Sequence, residues 1–345
     1  MIKKKQLSLY LILMITLTTV SCTKDTESDP QPLVKVGLVG GLGGYNDAGF
    51  NQNILQGFQR AAIDYQLSPK IYECTSAADF LTGISFFVQE DYDLIITSGY
   101  DAAEATLEAA NANPSISFIL IDYQMDNPPA NLQCIVFDVD QSSFPCGFLA
   151  AWWADIQAPE NPVAGFVGGP EIPEIRQFSI SYLAGINYYN AFYTRQVNGI
   201  GCYAGTFTDT LVGARLADSL IQQGASVIFA FAGKTGNGVL HKVKESGKWA
   251  IGVDVDQYLS IPEVGPYLLT SCMKELDAIV YTAIGKYCTQ SFTGGTVSHC
   301  NLSNNGVGMA PFHDYEAMIP DSIRTALTSI KAGIITGSIN TGWPE

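Results

Sequence analysis

The chain has 345 residues, enough for about two domains with separate cores. Hydrophobic residues make up 47% of it and charged residues only 15%, a balance that excludes a disordered protein. The three histidines (His241, His299, His313) lie too far apart in sequence to form a familiar zinc-ligand motif, so we expect no metal site.

Residues 1–22 have the order of an export signal. A basic head at 1–5 precedes an apolar run at 7–20, which is too short to span a bilayer comfortably. The run ends in a small residue followed by Cys22, an arrangement that resembles a bacterial lipobox, in which the cysteine is acylated and becomes the new N-terminus. We therefore expect an exported protein that is anchored to the cell envelope by a lipid on Cys22. An ordinary cleaved signal or an uncleaved anchor is the alternative.

The polar, acidic and proline-containing segment 23–32 has the composition of a flexible tether. Without the three lysines of the signal, 15 basic residues face 33 acidic ones, a net charge of −18. Because so acidic a surface repels phosphate backbones, we expect no nucleic-acid partner. Seven cysteines follow Cys22, an odd number without a Cys-x-x-Cys pair, and this predicts at least one free thiol.

From residue 33 onward, short β-rich runs alternate with amphipathic stretches, the pattern of parallel sheets with helices on both faces. In a first series we predict strands over 34–39, 70–74, 94–97, 116–122 and 134–138, and helices over 51–65, 77–89 and 102–111. In a second series we predict helices over 144–153, 178–192, 211–223 and 238–245, and strands over 163–167, 197–203, 227–231 and 250–253. A long helix over 273–287, a strand over 306–309 and a helix over 322–332 close the chain.

Two such series predict an α/β protein with two doubly wound lobes. We place 33–139 and 256–292 in lobe 1, and 140–255 and 300–345 in lobe 2, with chain crossings near 138–141 and 253–257. Ligands of open α/β sheets bind at the carboxyl ends of the strands. We therefore predict a cleft between the lobes, lined by the loops 40–47, 98–101, 122–125, 168–172, 204–207, 232–235 and 254–257.

The first of these loops contains a glycine-rich turn at 40–44, between a strand and a helix. A dinucleotide site would use this turn together with Glu73 as the ribose acid, but Asn46 occupies the place of the third glycine. A mobile glycine turn is the favoured interpretation, and we expect no cofactor.

The segment 43–52 reads Gly-Gly-Tyr-Asn-Asp-Ala-Gly-Phe-Asn-Gln and continues to Gly57. It resembles the D-x-x-F-N-x(5)-G signature of the basic membrane lipoprotein family, nucleoside-binding lipoproteins of ABC importers with the type I periplasmic binding fold and a hinged cleft between the lobes. Blocks at 95–100, 165–169, 184–186, 233–238, 252–257 and 269–274 are similar to those of the family and stand in the family's order. The resemblance spans about residues 33–335.

The resemblance implies a purine nucleoside held between the lobes. Asn46, Asp47 and Asp122 would read the edge of the base, and Phe50 would stack on its face. Asp254 and Lys274 would hold the ribose hydroxyls, and backbone amides around Gly233 would complete the site. For a second stacking ring we choose Phe231, with Tyr182 as the alternative. Each residue also has an ordinary use, since Asp47 could cap a helix, Phe50 could be core, and Asp254 with Lys274 could be a surface ion pair.

We therefore expect a monomeric solute-binding lipoprotein, without catalysis of its own, that delivers its ligand to a permease and an ATPase on separate chains. A binder of riboflavin or a sugar within the same family is the nearest alternative. An exported nucleoside hydrolase that uses Asp47 and Asp254, or a surface sensor or adhesin, is a further one.

Overall fold

The computed structural model describes residues 33–344. The predictions for the signal, Cys22 and the tether lie outside this range. The described chain contains two six-stranded sheets, each covered by helices on both faces.

The first lobe is built around one of these sheets. Its elements are β1 (Lys35–Gly40), α1 (Phe50–Asp64), β2 (Ser68–Glu73), α2 (Asp79–Gln89), β3 (Leu94–Ser98), α3 (Ala103–Ala112), β4 (Ser117–Ile121) and β5 (Leu132–Phe137), with α9 (Leu276–Cys288) and β11 (Thr296–Cys300) from later in the chain.

The second lobe contains the remaining elements. These are α4 (Asp140–Gln157), β6 (Val163–Gly168), α5 (Pro173–Tyr193), β7 (Asn198–Tyr203), α6 (Thr210–Gln222), β8 (Ala225–Phe231), α7 (Gly233–Glu245), β9 (Trp249–Asp254), α8 (Gln257–Ser260), β10 (Leu268–Lys274), β12 (Val307–Met309) and α10 (Asp321–Ile335).

The two sheets have the same plan. The strand order is β2-β1-β3-β4-β5-β11 in lobe 1 and β7-β6-β8-β9-β10-β12 in lobe 2. All neighbours are parallel except β12, which runs antiparallel to β10. In each sheet, successive strands are added first on one side of the first strand and then on the other. Open α/β sheets bind ligands at this switch point, which lies between β1 and β3 in lobe 1 and between β6 and β8 in lobe 2.

Burial explains why the central strands are almost continuously apolar. Val36 and Leu38 of β1 belong to the largest buried cluster, while Val39 on the other face belongs to a second one. The largest cluster continues into lobe 2 through residues such as Phe144 and Phe229. Because helices cover both faces of each sheet, neither face needs polar side chains. None of the helices between residues 33 and 344 is long and apolar enough to cross a membrane.

Within residues 33–344 the chain passes between the lobes three times. The first crossing, from β5 to α4, confirms the one predicted near 138–141. The predicted crossing at 253–257 is wrong, because residues 268–274 form β10, which pairs with β9 in lobe 2. The chain crosses only after Lys274, when α9 returns to pack on α1 through Arg60 and Asp277. The predicted helix over 273–287 therefore begins three residues too early.

A third crossing lies between Cys300 and Val307 and was not predicted. Residues 296–300 form β11, which pairs with β5 at the edge of lobe 1. The boundary of lobe 1 at residue 292 is thus too early, and most of 256–275 belongs to lobe 2. All seven cysteines in the described range are free thiols, and five of them are buried, as expected of small hydrophobic side chains.

Candidate ligand-binding site

A cavity with about 890 Å³ of empty space, including the part open to solvent, lies between the carboxyl ends of the two sheets. All seven loops predicted from the sequence contribute to its wall. The lining residues are Gly41, Leu42, Gly43, Asp47, Phe50, Asn51, Phe80, Ser98, Gly99, Tyr100, Asp101, Asp122, Ile172, Glu174, Ile175, Phe178, Phe207, Phe231, Gly233, Lys234, Val253, Asp254 and Lys274.

Lys274 is the centre of charge in this cavity. Its ammonium lies 2.6 Å from a carboxylate oxygen of Asp122 and 3.7 Å from one of Asp254. Asp122 follows β4 in lobe 1, whereas Asp254 and Lys274 end β9 and β10 in lobe 2, so this buried ion pair joins the lobes across the cleft. A surface ion pair, the ordinary alternative for Asp254 and Lys274, is therefore wrong.

Asp122 and Asp254 hold equivalent places in the two lobes. Each stands at the carboxyl end of the fourth strand of its sheet, and each has a left-handed backbone, with φ of 62° and 65°. This conformation is uncommon for a residue with a side chain and is concentrated at functional sites. It lets both carboxylates reach the same ammonium from opposite sides of the cleft.

Burial and neighbouring charges shift the pKa values of Asp254 and Lys274. Burial raises the pKa of Asp254 to about 6, and the neighbouring carboxylates of Asp122 and Asp47 add to the rise while Lys274 opposes it. Burial by itself would lower the pKa of Lys274, but the carboxylates of Asp122 and Asp254 raise it above its ordinary value. Lys274 is therefore a permanent cation near neutral pH, held by two acids.

Aromatic rings surround the ammonium. It lies 5.3 Å from the ring centres of Phe50 and Phe178 and 5.6 Å from that of Phe137. Phe50 is only partly buried and lines the cavity, so one apolar wall is open to a ligand. These contacts place a cation, two carboxylates and an aromatic wall within one site.

Asp47 both caps a helix and lines the cavity. Its carboxylate accepts the backbone N–H groups of Gly49, Asn51 and Gln52, which covers the first turn of α1. The capping role considered from the sequence is thus real, yet the same buried side chain lines the cavity. Asn46, in contrast, is exposed and does not line the cavity, so the prediction that it reads the base has no geometric support here.

A further partly buried ring at the cavity belongs to a residue that the sequence prediction missed. Phe231 lies at the cavity but is 1% exposed, and its ring stacks on Phe166 and Phe178. Tyr182, the alternative, is fully buried in the core and does not line the cavity. Phe207, in the loop after β7, is partly buried and lines it. The sequence could have indicated Phe207, since 204–207 is one of the predicted cleft loops.

The glycine-rich turns bring backbone close to the cavity. Gly43 has φ of +94°, and a Cβ there would lie 3.2 Å from Thr208 of the other lobe. Gly233 has φ of +54° and begins α7, where the first backbone N–H groups have no partner within the helix. The amides of Gly233 and Lys234 are therefore placed to donate into the cavity.

Two further hydrogen bonds join the lobes at the rim of the cleft. Asn237 of α7 donates to the carbonyl of Asp47 at 2.8 Å, and Ser260 of α8 donates to the carbonyl of Ala48 at 2.8 Å. Ala48 has φ of 53°, an uncommon backbone for alanine. The side chain of Asp47 thus faces the cavity while its carbonyl is held by the opposite lobe.

Comparison with known proteins agrees with this architecture. The family model described as "ABC transporter substrate-binding protein PnrA-like", named Bmp, matches residues 35–340. The chain belongs to the Bmp family. This confirms the resemblance drawn from the sequence blocks, and the chain is a substrate-binding protein of the ABC-transporter type, a class that binds small molecules and works with a permease.

Individual proteins are similar to this chain over most of their length. The ABC transporter nucleoside-binding protein BmpA of Lactococcus lactis subsp. cremoris is 29% identical over 88% of this chain and 88% of its own. An uncharacterized lipoprotein of Pyrococcus abyssi is 29% identical over 88% of this chain and 75% of its own. The crystal structure of an ABC transporter solute-binding protein from Aeropyrum pernix covers 89% of this chain and 92% of its own, with 25% identity and a TM-score of 0.83. The predicted two-lobed α/β fold is confirmed.

Proposed function

We propose that this chain binds a nucleoside between its lobes and presents it to a permease. The observation that carries the proposal is the convergence of Asp122, Asp254 and Lys274 in a cavity that the partly buried rings of Phe50 and Phe207 also line. A flat base can stack on an aromatic ring, and a ribose offers vicinal hydroxyls that donate to a carboxylate and accept from an ammonium. The nucleoside-binding relative from Lactococcus supports the same class of ligand.

The charge of the cavity favours an uncharged ligand over a phosphorylated one. Five carboxylates line it, those of Asp47, Asp101, Asp122, Glu174 and Asp254, against the ammonium groups of Lys234 and Lys274. A nucleotide would bring its phosphate into this negative field, whereas a nucleoside brings only hydroxyl and base groups. We therefore expect nucleosides to bind and the corresponding monophosphates to be rejected.

The ligand is tested first on the protein as purified. Native mass spectrometry identifies any retained cargo, and thermal unfolding with a panel of nucleosides, nucleoside monophosphates, riboflavin and sugars ranks the ligands. Binding raises the free energy of unfolding by RT ln(1 + [L]/Kd), so a ligand at 100 times its Kd adds about 2.7 kcal/mol. A shift with riboflavin or a sugar and none with any nucleoside would overturn the proposal. Release of free base from inosine would instead reveal a hydrolase.

Delivery requires export and an anchor, which we assign to the signal and to Cys22. A substrate-binding protein that is free to diffuse away would be lost from its permease, whereas acylation retains it at the membrane. Expression with radiolabelled palmitate should label the native chain and not Cys22→Ser. Equal labelling of both proteins would contradict the assignment.

A further inference from the structure

Glu174 has a feature that the proposed function leaves unexplained. It lies in the first turn of α5 and lines the cavity from lobe 2. Its Oε2 atom is buried, and no other described residue, among 33–344, forms a hydrogen bond with it. A buried carboxylate oxygen without a donor is costly, and such atoms in native proteins usually await a partner.

The nearest cation does not supply this partner. Lys274 donates to Asp122 at 2.6 Å and lies 3.7 Å from Asp254, so its donors are directed at two other acids. Burial raises the pKa of Glu174 and the charge of Asp122 adds to the rise, whereas its own backbone N–H and the charge of Lys274 oppose it. Because no described donor reaches Oε2, the ionised form of Glu174 needs a donor from whatever fills the cavity.

The hydrogen-bonding capacity of a nucleoside suggests which donor this is. Its vicinal ribose hydroxyls are already assigned to Asp254 and Lys274, so the remaining donors are the 5′-hydroxyl, which every ribonucleoside carries, and the groups on the edge of the base. An amino group donates two hydrogens, and its hydrogen bond with an ionised carboxylate is stronger than one between neutral groups. A base without an amino group offers Glu174 at most a single ring N–H, and the base of purine riboside offers no donor at all.

Building on the proposed function, we propose that Glu174 selects nucleosides whose base carries an exocyclic amino group. This assigns Glu174 as a specificity-determining residue, which no sequence motif indicated. The selection follows from the cost of leaving a buried acceptor unsatisfied, the means by which sites built to pair a polar group reject analogues that lack it.

The test uses ligand pairs that differ only by the amino group. Guanosine is compared with inosine, and adenosine with purine riboside, by isothermal titration calorimetry on the native protein, Glu174→Gln and Glu174→Ala. We expect the native protein to prefer the amino member of at least one pair by about tenfold or more, as for a hydrogen bond to a charged group. The preference should shrink to a few-fold in Glu174→Gln and vanish in Glu174→Ala. Glu171→Gln is the matched control, because Glu171 is exposed and lies outside the cavity.

The outcomes separate this inference from the proposed function. If no nucleoside binds the native protein, both fail. If nucleosides bind without an amino preference, or with one that both Glu174 variants retain, only the selection by Glu174 is overturned. Equal weakening of both members of each pair would also overturn it, because Glu174 would then act on binding as a whole; melting of each free variant verifies that it is folded.

Discussion

The side chain of Asn237 in lobe 2 donates a hydrogen bond to the backbone carbonyl of Asp47 in lobe 1 at 2.8 Å. The carboxylate of the same Asp47 lines the cavity and covers the first turn of α1. One residue thus connects the wall of the site, a helix and the opposite lobe. A ligand that contacts the carboxylate of Asp47 would therefore affect the backbone segment whose carbonyl is bonded to the opposite lobe.

We expect Asn237→Ala and Ser260→Ala to accelerate ligand release. Each removes one hydrogen bond that exists only when the lobes meet, worth about 0.5–1.5 kcal/mol, so the open state gains population. The dissociation rate should rise about threefold to tenfold in each variant when measured by stopped-flow fluorescence. Asn198→Ala, at an exposed position at the start of β7 and thus at the end of the strand away from the cleft, should leave the rate unchanged. Unchanged rates in both cleft variants would show that these contacts do not hold the closed form.

We expect Asp254→Asn to weaken ribonucleoside binding far more than it lowers the melting temperature of the free protein. The neutral amide loses a charged acceptor for the ribose hydroxyls, an effect of about 2–5 kcal/mol on binding when one partner of a buried charged network is lost. Calorimetry gives the affinity and scanning calorimetry the melting temperature. Asp218→Asn, which alters an exposed carboxylate paired with Lys242, is the control. An equal loss of binding and stability in Asp254→Asn would identify a structural role.

Binding should depend on pH through Asp254. Its pKa is about 6 in the free protein, and a ligand that donates to the carboxylate favours the ionised form. Affinity should therefore be complete above pH 7 and fall as the pH drops through 6, approaching tenfold per pH unit below it. Titrations from pH 7.5 to 5 check this, and Asp254→Asn should flatten the profile. Any slope due to Glu174, whose pKa burial also raises, is separated with Glu174→Gln.

The same pKa acts in the opposite direction on the stability of the free protein. Because the pKa of Asp254 is raised above its ordinary value of 3.8, the folded state holds this proton more tightly than the unfolded state. The resulting stabilisation is complete below pH 3.8 and is lost as the pH rises through 6. Urea unfolding of the native protein and Asp254→Asn between pH 4 and 7 isolates this contribution. Profiles that stay parallel would contradict the raised pKa.

We expect Lys274→Met to destabilise the free protein by about 3–5 kcal/mol, because it leaves the carboxylates of Asp122 and Asp254 partly buried without a cation. Adding Asp122→Asn should recover part of the loss, since one uncompensated charge is removed. Lys242→Met breaks an exposed ion pair of similar length, 2.9 Å, and should cost no more than about 1 kcal/mol. Urea unfolding at pH 7 compares the three variants. Similar losses in Lys274→Met and Lys242→Met would mean that burial adds nothing to the pair.

Phe207 and Phe231, two of the phenylalanines that line the cavity, should respond in opposite ways. Phe207→Ala should weaken nucleoside binding and leave the free protein nearly as stable, because the ring is partly exposed at the cleft. Phe231→Ala should remove about 3–5 kcal/mol of stability, because its buried ring packs on Phe166 and Phe178. Melting and calorimetry on both variants separate the roles. Loss of binding in Phe231→Ala with unchanged stability would restore the original prediction.

Much of the fold follows from local patterns in the chain. The alternation of buried strands with amphipathic helices indicates both lobes, because a strand covered on both faces must be apolar wherever it lies. The local patterns do not predict two of the strands, β10 and β11. β10 runs almost directly into α9, so its last residues resemble the start of that helix, and β11 is a partly exposed edge strand with little apolar signal. Errors in lobe assignment followed, since a strand's pattern does not say which sheet it joins.

The residue types, the seven cleft loops and the family signature could all be read from the sequence, because they depend on short segments of chain. Only the tertiary structure decided that Phe207 has a partly exposed ring at the cavity while Phe231 is buried behind it, that Asn46 does not line it, and that Glu174 does. Lys274 and Asp122, which form the ion pair across the cleft, are 152 residues apart and belong to different lobes. Their meeting depends on how the three crossings set one sheet against the other, a packing relationship that no local pattern contains.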